Sequence, residues 1–233
     1  MTKNRTLLIN ILLFVATAVC NIAYTINVCF GNNIVTLKAI TSTLFVVIGI
    51  VNIYAIKSLE GNIKFSAILL AGLTFAFLGD VMLEIHFIMG AILFAIGHIF
   101  YLISYTILSK LKWQDLLAGS IIFVPITLLI LFAPFFTFDS ILMQIVCVIY
   151  AIIISLMVGK SITNLIYKRT TLNILLMIGS LLFMFSDLIL LLNKFGTMNR
   201  IVGIVLCLGT YYPAQCVLAY SITHATNKES NKN

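Results

Sequence analysis

The chain of 233 residues is 62% hydrophobic and only 9% charged, and its mean hydropathy of +1.16 lies far outside the range of a soluble domain. These values indicate an integral membrane protein. The net charge of +7 does not require a nucleic-acid partner, because a basic cytoplasmic face against anionic lipid accounts for it.

Apolar runs of about 20 residues recur along the whole chain, each long enough to cross ~30 Å of hydrocarbon as a helix, and they leave no room for a soluble domain. The strand alternation of a transmembrane barrel is missing from the sequence. We predict an all-α fold, a polytopic transmembrane helical bundle that forms one domain over residues 1–233. Its eight helices are predicted at about 7–27, 35–56, 65–84, 88–108, 114–133, 140–159, 171–192 and 201–221.

Two features of these runs invite other interpretations. The first run follows Lys3 and Arg5, as the apolar part of a signal peptide would. We expect an uncleaved helix, because its removal would leave seven spans. The five cysteines show no spacing typical of metal ligands, and most lie within apolar runs, so we interpret them as small core residues.

The distribution of lysine and arginine predicts the orientation, because positively charged short loops stay in the cytoplasm. Three cations fall on the predicted outer side: Lys38, Lys194 and Arg200. Eleven fall on the other side: Lys3, Arg5, Lys57, Lys64, Lys110, Lys112, Lys160, Lys168, Arg169, Lys228 and Lys232. We therefore predict that both termini are cytoplasmic.

The third and seventh predicted helices each carry one aspartate near the outer end, in the contexts FAFLGDVML and LFMFSDLIL. Asp80 and Asp187 are 107 residues apart, close to half the chain, and a small residue precedes each. Four helices followed by four more would form a parallel repeat about an axis along the membrane normal. Such a repeat would bring the two aspartates face to face.

Ionisable side chains within the hydrocarbon are costly, so they usually face the bundle interior or a wet cavity and mark function. Asp80 and Asp187 are the strongest candidates here. Other polar side chains lie within the predicted fourth and eighth helices: His98, Tyr101, Tyr105, Tyr211, Tyr212 and Gln215. The structural alternative is a hydrogen-bonded carboxyl that joins helices for the two aspartates and a satisfied core histidine for His98. For the other side chains it is hydrogen bonding between helices. Glu84, one turn beyond Asp80, is expected to be a solvated helix end.

Two carboxyl groups in one site of low dielectric constant would titrate separately, so that one is protonated while the other is ionised. Such a pair can hydrolyse an acid-labile bond, or it can relay protons in a proton-coupled transporter or permease. A lipid-binding bundle without catalysis would keep the fold. The residue pattern alone leaves these alternatives open.

Four strings in chain order resemble the lysoplasmalogenase family, the YhhN-like group of eight-helix membrane proteins. They are GLTFAFLGDVML (72–83), GAILFAIGHIFY (90–101), GSLLFMFSDLILLLNKF (179–195) and YYPAQCVLAYS (211–221). Each string is short, and their specificity comes from their order and spacing across the second to the eighth predicted helix.

The resemblance implies cleavage of the vinyl ether bond of lysoplasmalogens into a fatty aldehyde and glycerophosphoethanolamine or glycerophosphocholine. Acid–base chemistry of this kind requires no metal or organic cofactor. The resemblance also implies that Asp80 and Asp187 are catalytic. The residues it suggests as supporting or substrate-binding are His98, Tyr101, Tyr211, Tyr212, Gln215, Asn193 and Lys38. The family often shows Lys-Pro at this last position, whereas Ala39 follows here. The expected partners are the lysolipid and membrane lipids, in a membrane that we expect to be a bacterial inner membrane.

Vinyl ethers hydrolyse by protonation of the β-carbon, and water then captures the oxocarbenium ion. A protonated carboxyl is a suitable acid, and a second carboxylate can stabilise the cation, as in glycoside hydrolysis. Both aspartates are expected about 6 to 8 Å below the outer boundary, the depth of a lysolipid's glycerol. We expect Asp187 to be the acid, Lys38 to meet the phosphate, and the alkenyl chain to run among predicted helices three, four, seven and eight.

Overall fold

The computed structural model describes residues 3–32, 34–57 and 61–226. Over these residues the chain forms eight α-helices and no strand, and each helix is long and apolar enough to cross a membrane. The predicted all-α bundle of transmembrane helices is therefore confirmed. The helices are α1 (Lys3–Cys29), α2 (Val35–Lys57), α3 (Ile63–Ile85), α4 (Phe87–Leu108), α5 (Trp113–Phe132), α6 (Ile141–Tyr167), α7 (Thr171–Phe195) and α8 (Arg200–Ser221), with a 3-10 turn at Ile222–His224.

Short polar side chains begin four of the helices. The side-chain oxygens of Asn62, Ser140, Thr170 and Asn199 accept hydrogen bonds from backbone N–H groups in the first turns of α3, α6, α7 and α8. These caps satisfy donors that the helix itself leaves unpaired. At His86 a single residue of extended backbone joins α3 to α4, so these two helices lie side by side.

Helix α6 continues to Tyr167, whereas the sequence predicted its end at residue 159, before Lys160. The Lys160 side chain is completely buried, and its Nζ donates to Asp115 Oδ2 at 2.8 Å and to the carbonyl oxygen of Lys110 at 3.0 Å. Thr163 Oγ1 donates to the other oxygen of Asp115. A buried carboxylate thus pairs with the lysine, which explains why the helix runs on past a residue interpreted as a loop cation.

An ion pair lies at each end of the bundle, and we name each end after one residue of its pair. At the Glu84 end, Lys38 near the start of α2 pairs with Glu84 near the end of α3. At the Lys160 end, Lys160 pairs with Asp115 in the first turn of α5. The Glu84 end corresponds to the predicted outer side, and the orientation in the membrane stays a prediction. Two cations counted for the cytoplasmic side lie outside the described residues: Lys228 and Lys232.

Helices α3 and α4 pack tightly against each other, whereas α5 makes most of its contacts with one helix. A Cβ atom on Gly72 would lie 2.4 Å from the ring of Tyr101, so glycine allows this ring of α4 to lie directly against α3. Helix α5 packs mainly against α6. Its outer half therefore leaves an apolar space between itself and the core helices, and this space borders the site.

Candidate active site

Asp80 of α3 is 2% exposed and is surrounded by hydrogen-bond donors. Ser42 Oγ of α2 and Tyr211 OH of α8 each donate to Asp80 Oδ2 at 2.6 Å. Lys38 Nζ lies 3.8 Å from the other carboxyl oxygen, Oδ1. Donors on one oxygen and a cation near the other offset part of the cost of burying a carboxylate.

The expectation that Glu84 is a solvated helix end is wrong. Lys38 Nζ lies 2.6 Å from Glu84 Oε1, and Tyr24 OH of α1 donates to the same oxygen at 3.0 Å. The Glu84 side chain is 16% exposed. Because Asp80 and Glu84 are one turn apart on α3, Lys38 lies between two carboxylates, and its charge is shared by both.

Asp187 of α7 is held through its Oδ2 atom. The hydroxyl of Tyr150, on α6, donates a short hydrogen bond to Oδ2, and His98 Nε2 of α4 lies 3.4 Å from the same atom. Tyr150 OH and His98 Nε2 are 2.9 Å apart. The side chain of Asp187 is 16% exposed, and His98 is completely buried. Three helices thus meet at this carboxyl group.

Both aspartates line one cavity of about 170 Å³ at the Glu84 end, which we call the aspartate cavity. Its polar lining consists of Tyr24, Lys38, Asp80, Glu84, Ser186, Asp187, Asn193 and Tyr211. Apolar side chains, among them Leu83, Phe94, Leu190 and Ile204, complete the wall. The two carboxyl groups are therefore neighbours across a common space, as the catalytic interpretation of the sequence required.

A second, almost wholly apolar cavity of about 80 Å³ lies beside the first and is called the apolar groove. Side chains of α3, α4, α5, α6 and α7 line it, including Ile126, Ile130, Val146 and Ile154. Four residues line both spaces: Leu83, Phe94, Asp187 and Leu190. Asp187 therefore lies at the junction of a polar cavity and an apolar groove.

The remaining residues suggested by the sequence lie at different distances from this cavity. Asn193 and Tyr211 line it. Tyr212 does not line it, but its hydroxyl lies 3.3 Å from Ser42 Oγ, which donates to Asp80. Tyr101 OH donates to Gln215 Oε1 at 2.8 Å, and both side chains are completely buried. This last pair joins α4 to α8 behind the cavity wall.

Three residues of the site escaped the sequence analysis: Tyr24, Ser42 and Tyr150. Each hydroxyl lies in a long apolar run, where serine and tyrosine also serve ordinary helix packing. Within the described residues, no group of three histidine, cysteine or acidic side chains converges in the manner of a metal site.

The fold and this site define a multi-pass helical membrane protein with three carboxyl groups, two of them aspartates, on one cavity between its helices. The profile of the YhhN family matches residues 36–222. The chain therefore belongs to the YhhN family, which includes lysoplasmalogenases. Comparison with curated proteins and with solved structures gives no match. The matched region runs from α2 to the 3-10 turn and contains both aspartates.

Proposed function

We propose that the protein is a membrane-embedded hydrolase that cleaves the vinyl ether bond of a lysoplasmalogen. The observation that carries the proposal is the position of Asp80 and Asp187 on one cavity, which meets an apolar groove at Asp187. Membership of the YhhN family supports a membrane hydrolase.

The shape and polarity of the two spaces suit a lysolipid with one chain. The alkenyl chain occupies the apolar groove, and the glycerol and headgroup occupy the aspartate cavity, so the vinyl ether lies at their junction beside Asp187. The groove is lined by α3 to α7. This path differs from the one expected from the sequence, because α5 and α6 take the place of α8. The space lies beside α5 because this helix packs mainly against α6.

Catalysis begins with proton transfer to carbon. Asp187 donates its proton to the β-carbon of the vinyl ether, and the electron pair of the double bond forms the new C–H bond. The resulting oxocarbenium ion is stabilised by Asp80, whose carboxylate accepts two hydroxyl hydrogen bonds and faces Lys38. A water molecule then attacks the oxocarbenium carbon, and Asp80 takes the proton that this water loses.

The second half of the reaction restores both carboxyl groups. The hemiacetal formed by water addition collapses, and its C–O bond to glycerol breaks. Asp80 donates its proton to the departing glycerol oxygen, and Asp187 accepts the proton of the hemiacetal hydroxyl. The products are a fatty aldehyde and a glycerophospho-headgroup alcohol. One water is consumed, no electron is transferred, and no external proton is needed.

The test is aldehyde release from lysoplasmalogen by the purified protein in detergent. Asp80→Asn and Asp187→Asn each abolish it, while Asp139→Asn, in the exposed loop between α5 and α6, retains wild-type activity. Circular dichroism checks that all three variants remain helical. Substrate uptake into sealed vesicles, without aldehyde release in detergent, would favour a proton-coupled transporter that uses the same residues.

A further inference from the structure

The Asp187 carboxyl has two unequal oxygens. Oδ2 accepts the hydrogen bond from Tyr150 and lies near His98. Among the described residues, no side chain or backbone group donates to Oδ1. We propose that Tyr150 is a positioning residue: it fixes Oδ2 and leaves Oδ1 as the oxygen that gives up and regains the proton. This inference rests on the proposed function.

The proton positions within this cluster follow from the donors available. Tyr150 has one hydroxyl proton, which it donates to Asp187, so its oxygen can accept from His98 Nε2, 2.9 Å away. His98 Nδ1 is buried and has no hydrogen-bond partner among the described residues. A proton on Nδ1 would leave a donor unsatisfied in a dry interior. The pattern assigns the neutral histidine with its proton on Nε2.

This assignment determines which oxygen of Asp187 carries a proton. Because Oδ2 is occupied as an acceptor, the proton of the acid form lies on Oδ1. Tyr150 and Asp187 both line the apolar groove, where the alkenyl chain begins in the proposed complex. The arrangement therefore orients the acid before the substrate arrives, and a carboxyl free to rotate would present either oxygen.

The packing around Tyr150 suits a positioning role. The rings of His98 and Phe183 make a T-shaped contact with centroids 4.5 Å apart, and the His98 centroid lies 5.3 Å from that of Tyr150. His98 is thus fixed by α7 while it donates to a residue of α6. In the proposed reaction each aspartate regains its starting protonation state without a proton from solvent. Tyr150 therefore need not carry a proton into the site.

A matched control is available in Tyr105. Its hydroxyl lies 2.9 Å from Ser180 Oγ and is completely buried, but it lines neither the aspartate cavity nor the apolar groove. Tyr150→Phe and Tyr105→Phe therefore remove the same atom from two hydrogen-bonded tyrosines. One tyrosine contacts a proposed catalytic carboxyl, and the other joins helices elsewhere.

The first measurement is the steady-state kinetics of aldehyde release. Tyr150→Phe lowers kcat about 10- to 100-fold, leaves KM for lysoplasmalogen within about twofold, and unfolds in detergent at the same temperature as Tyr105→Phe. His98→Gln, which keeps a side-chain N–H donor, retains more activity than His98→Leu. A wild-type kcat for Tyr150→Phe, or a higher KM at unchanged kcat, would overturn the inference.

A spectroscopic measurement separates this inference from the proposed function. Infrared difference spectra identify the Asp187 carboxyl as the band that is lost in Asp187→Asn. Tyr150→Phe shifts this band, and Tyr105→Phe leaves it in place. An unshifted band contradicts the hydrogen bond even if the wild-type protein releases no aldehyde. A shifted band without aldehyde release instead supports the hydrogen bond while the proposed function fails.

Discussion

Lys38 is the residue whose environment departs most from its expected one. The sequence suggested a cation that meets the lysolipid phosphate, and the structure places Lys38 Nζ 2.6 Å from Glu84 and 3.8 Å from Asp80. Its charge is therefore already engaged by two carboxylates. A phosphate that approached Lys38 would share its charge with these carboxylates. Lys38 therefore holds Asp80 in place as well as contributing to substrate binding.

We predict that Lys38→Ala raises KM for lysoplasmalogen about tenfold, equivalent to ~1.4 kcal/mol of binding, because the cavity keeps its carboxylates and loses its cation. The rate of aldehyde release at increasing lysoplasmalogen concentrations gives KM for each variant. Lys194→Ala is the control, since this lysine lies on the exposed surface at the same end of the bundle. An unchanged KM in Lys38→Ala would mean that the phosphate is bound elsewhere.

The apolar groove predicts a dependence on chain length. Ala151 is 3% exposed and lines the groove at the position that directly follows Tyr150 on α6. Ala151→Phe fills this space, so release of aldehyde from long-chain substrates falls at least about tenfold, while short-chain substrates are still cleaved. Ile152→Phe, at the neighbouring exposed position, leaves the chain-length profile unchanged. Equal losses for all chain lengths would argue against this groove as the chain site.

The site was predictable from the sequence only where a residue type stands out against its surroundings. Asp80 and Asp187 do so, because carboxylates are rare within apolar helices. Ser42 and Tyr150 do not, because a lone hydroxyl in such a helix resembles any packing residue. Glu84 was misjudged, since its partner Lys38 is 46 residues away in the sequence and only the fold brings them together.

At the scale of helices, the Lys160–Asp115 pair determines how far α6 extends. The sequence indicated the helix itself but gave no means of pairing these two charges, so Lys160 was interpreted as a loop residue. Together with Thr163 and the carbonyl of Lys110, the pair ties α6 to the start of α5 and the end of α4. It lies at the end of the bundle away from the aspartate cavity.

Lys160→Met should therefore destabilise the bundle without removing a catalytic group. Breaking a buried ion pair leaves Asp115 without its cation, which costs about 3–5 kcal/mol. Thermal unfolding in detergent measures the loss as a lower midpoint. Lys110→Met, whose side chain is exposed at the same end, serves as the control. An unchanged midpoint in Lys160→Met would show that the pair contributes little to stability.

At the scale of the whole molecule, the two aspartates are contacted by side chains of corresponding helices. Asp80 of α3 is contacted from α2 and α8, by Ser42 and Tyr211. Asp187 of α7 is contacted from α6 and α4, by Tyr150 and His98. A four-plus-four repeat relates α3 to α7, α2 to α6 and α8 to α4. The repeat stays a prediction. If it holds, the helices that contact Asp80 and those that contact Asp187 must correspond in this way.

The eight spans were predictable because length and apolar composition suffice to define a membrane helix. The arrangement of the spans was not, because apolar side chains face both the lipid and the bundle interior in these helices. The space between α5 and the core, for example, leaves no trace in the sequence. Orientation rests on the loop cations, and single-cysteine labelling from each side of the membrane tests it, with the Glu84 end expected outside.

In the proposed reaction, two aspartates cleave a vinyl ether by protonating its β-carbon. The most direct measurement is mass spectrometry of the aldehyde released from lysoplasmalogen by the purified protein in D₂O. We expect one deuterium on the carbon next to the carbonyl, and no aldehyde from Asp80→Asn or Asp187→Asn. Release of undeuterated aldehyde, or wild-type release by either variant, would contradict it.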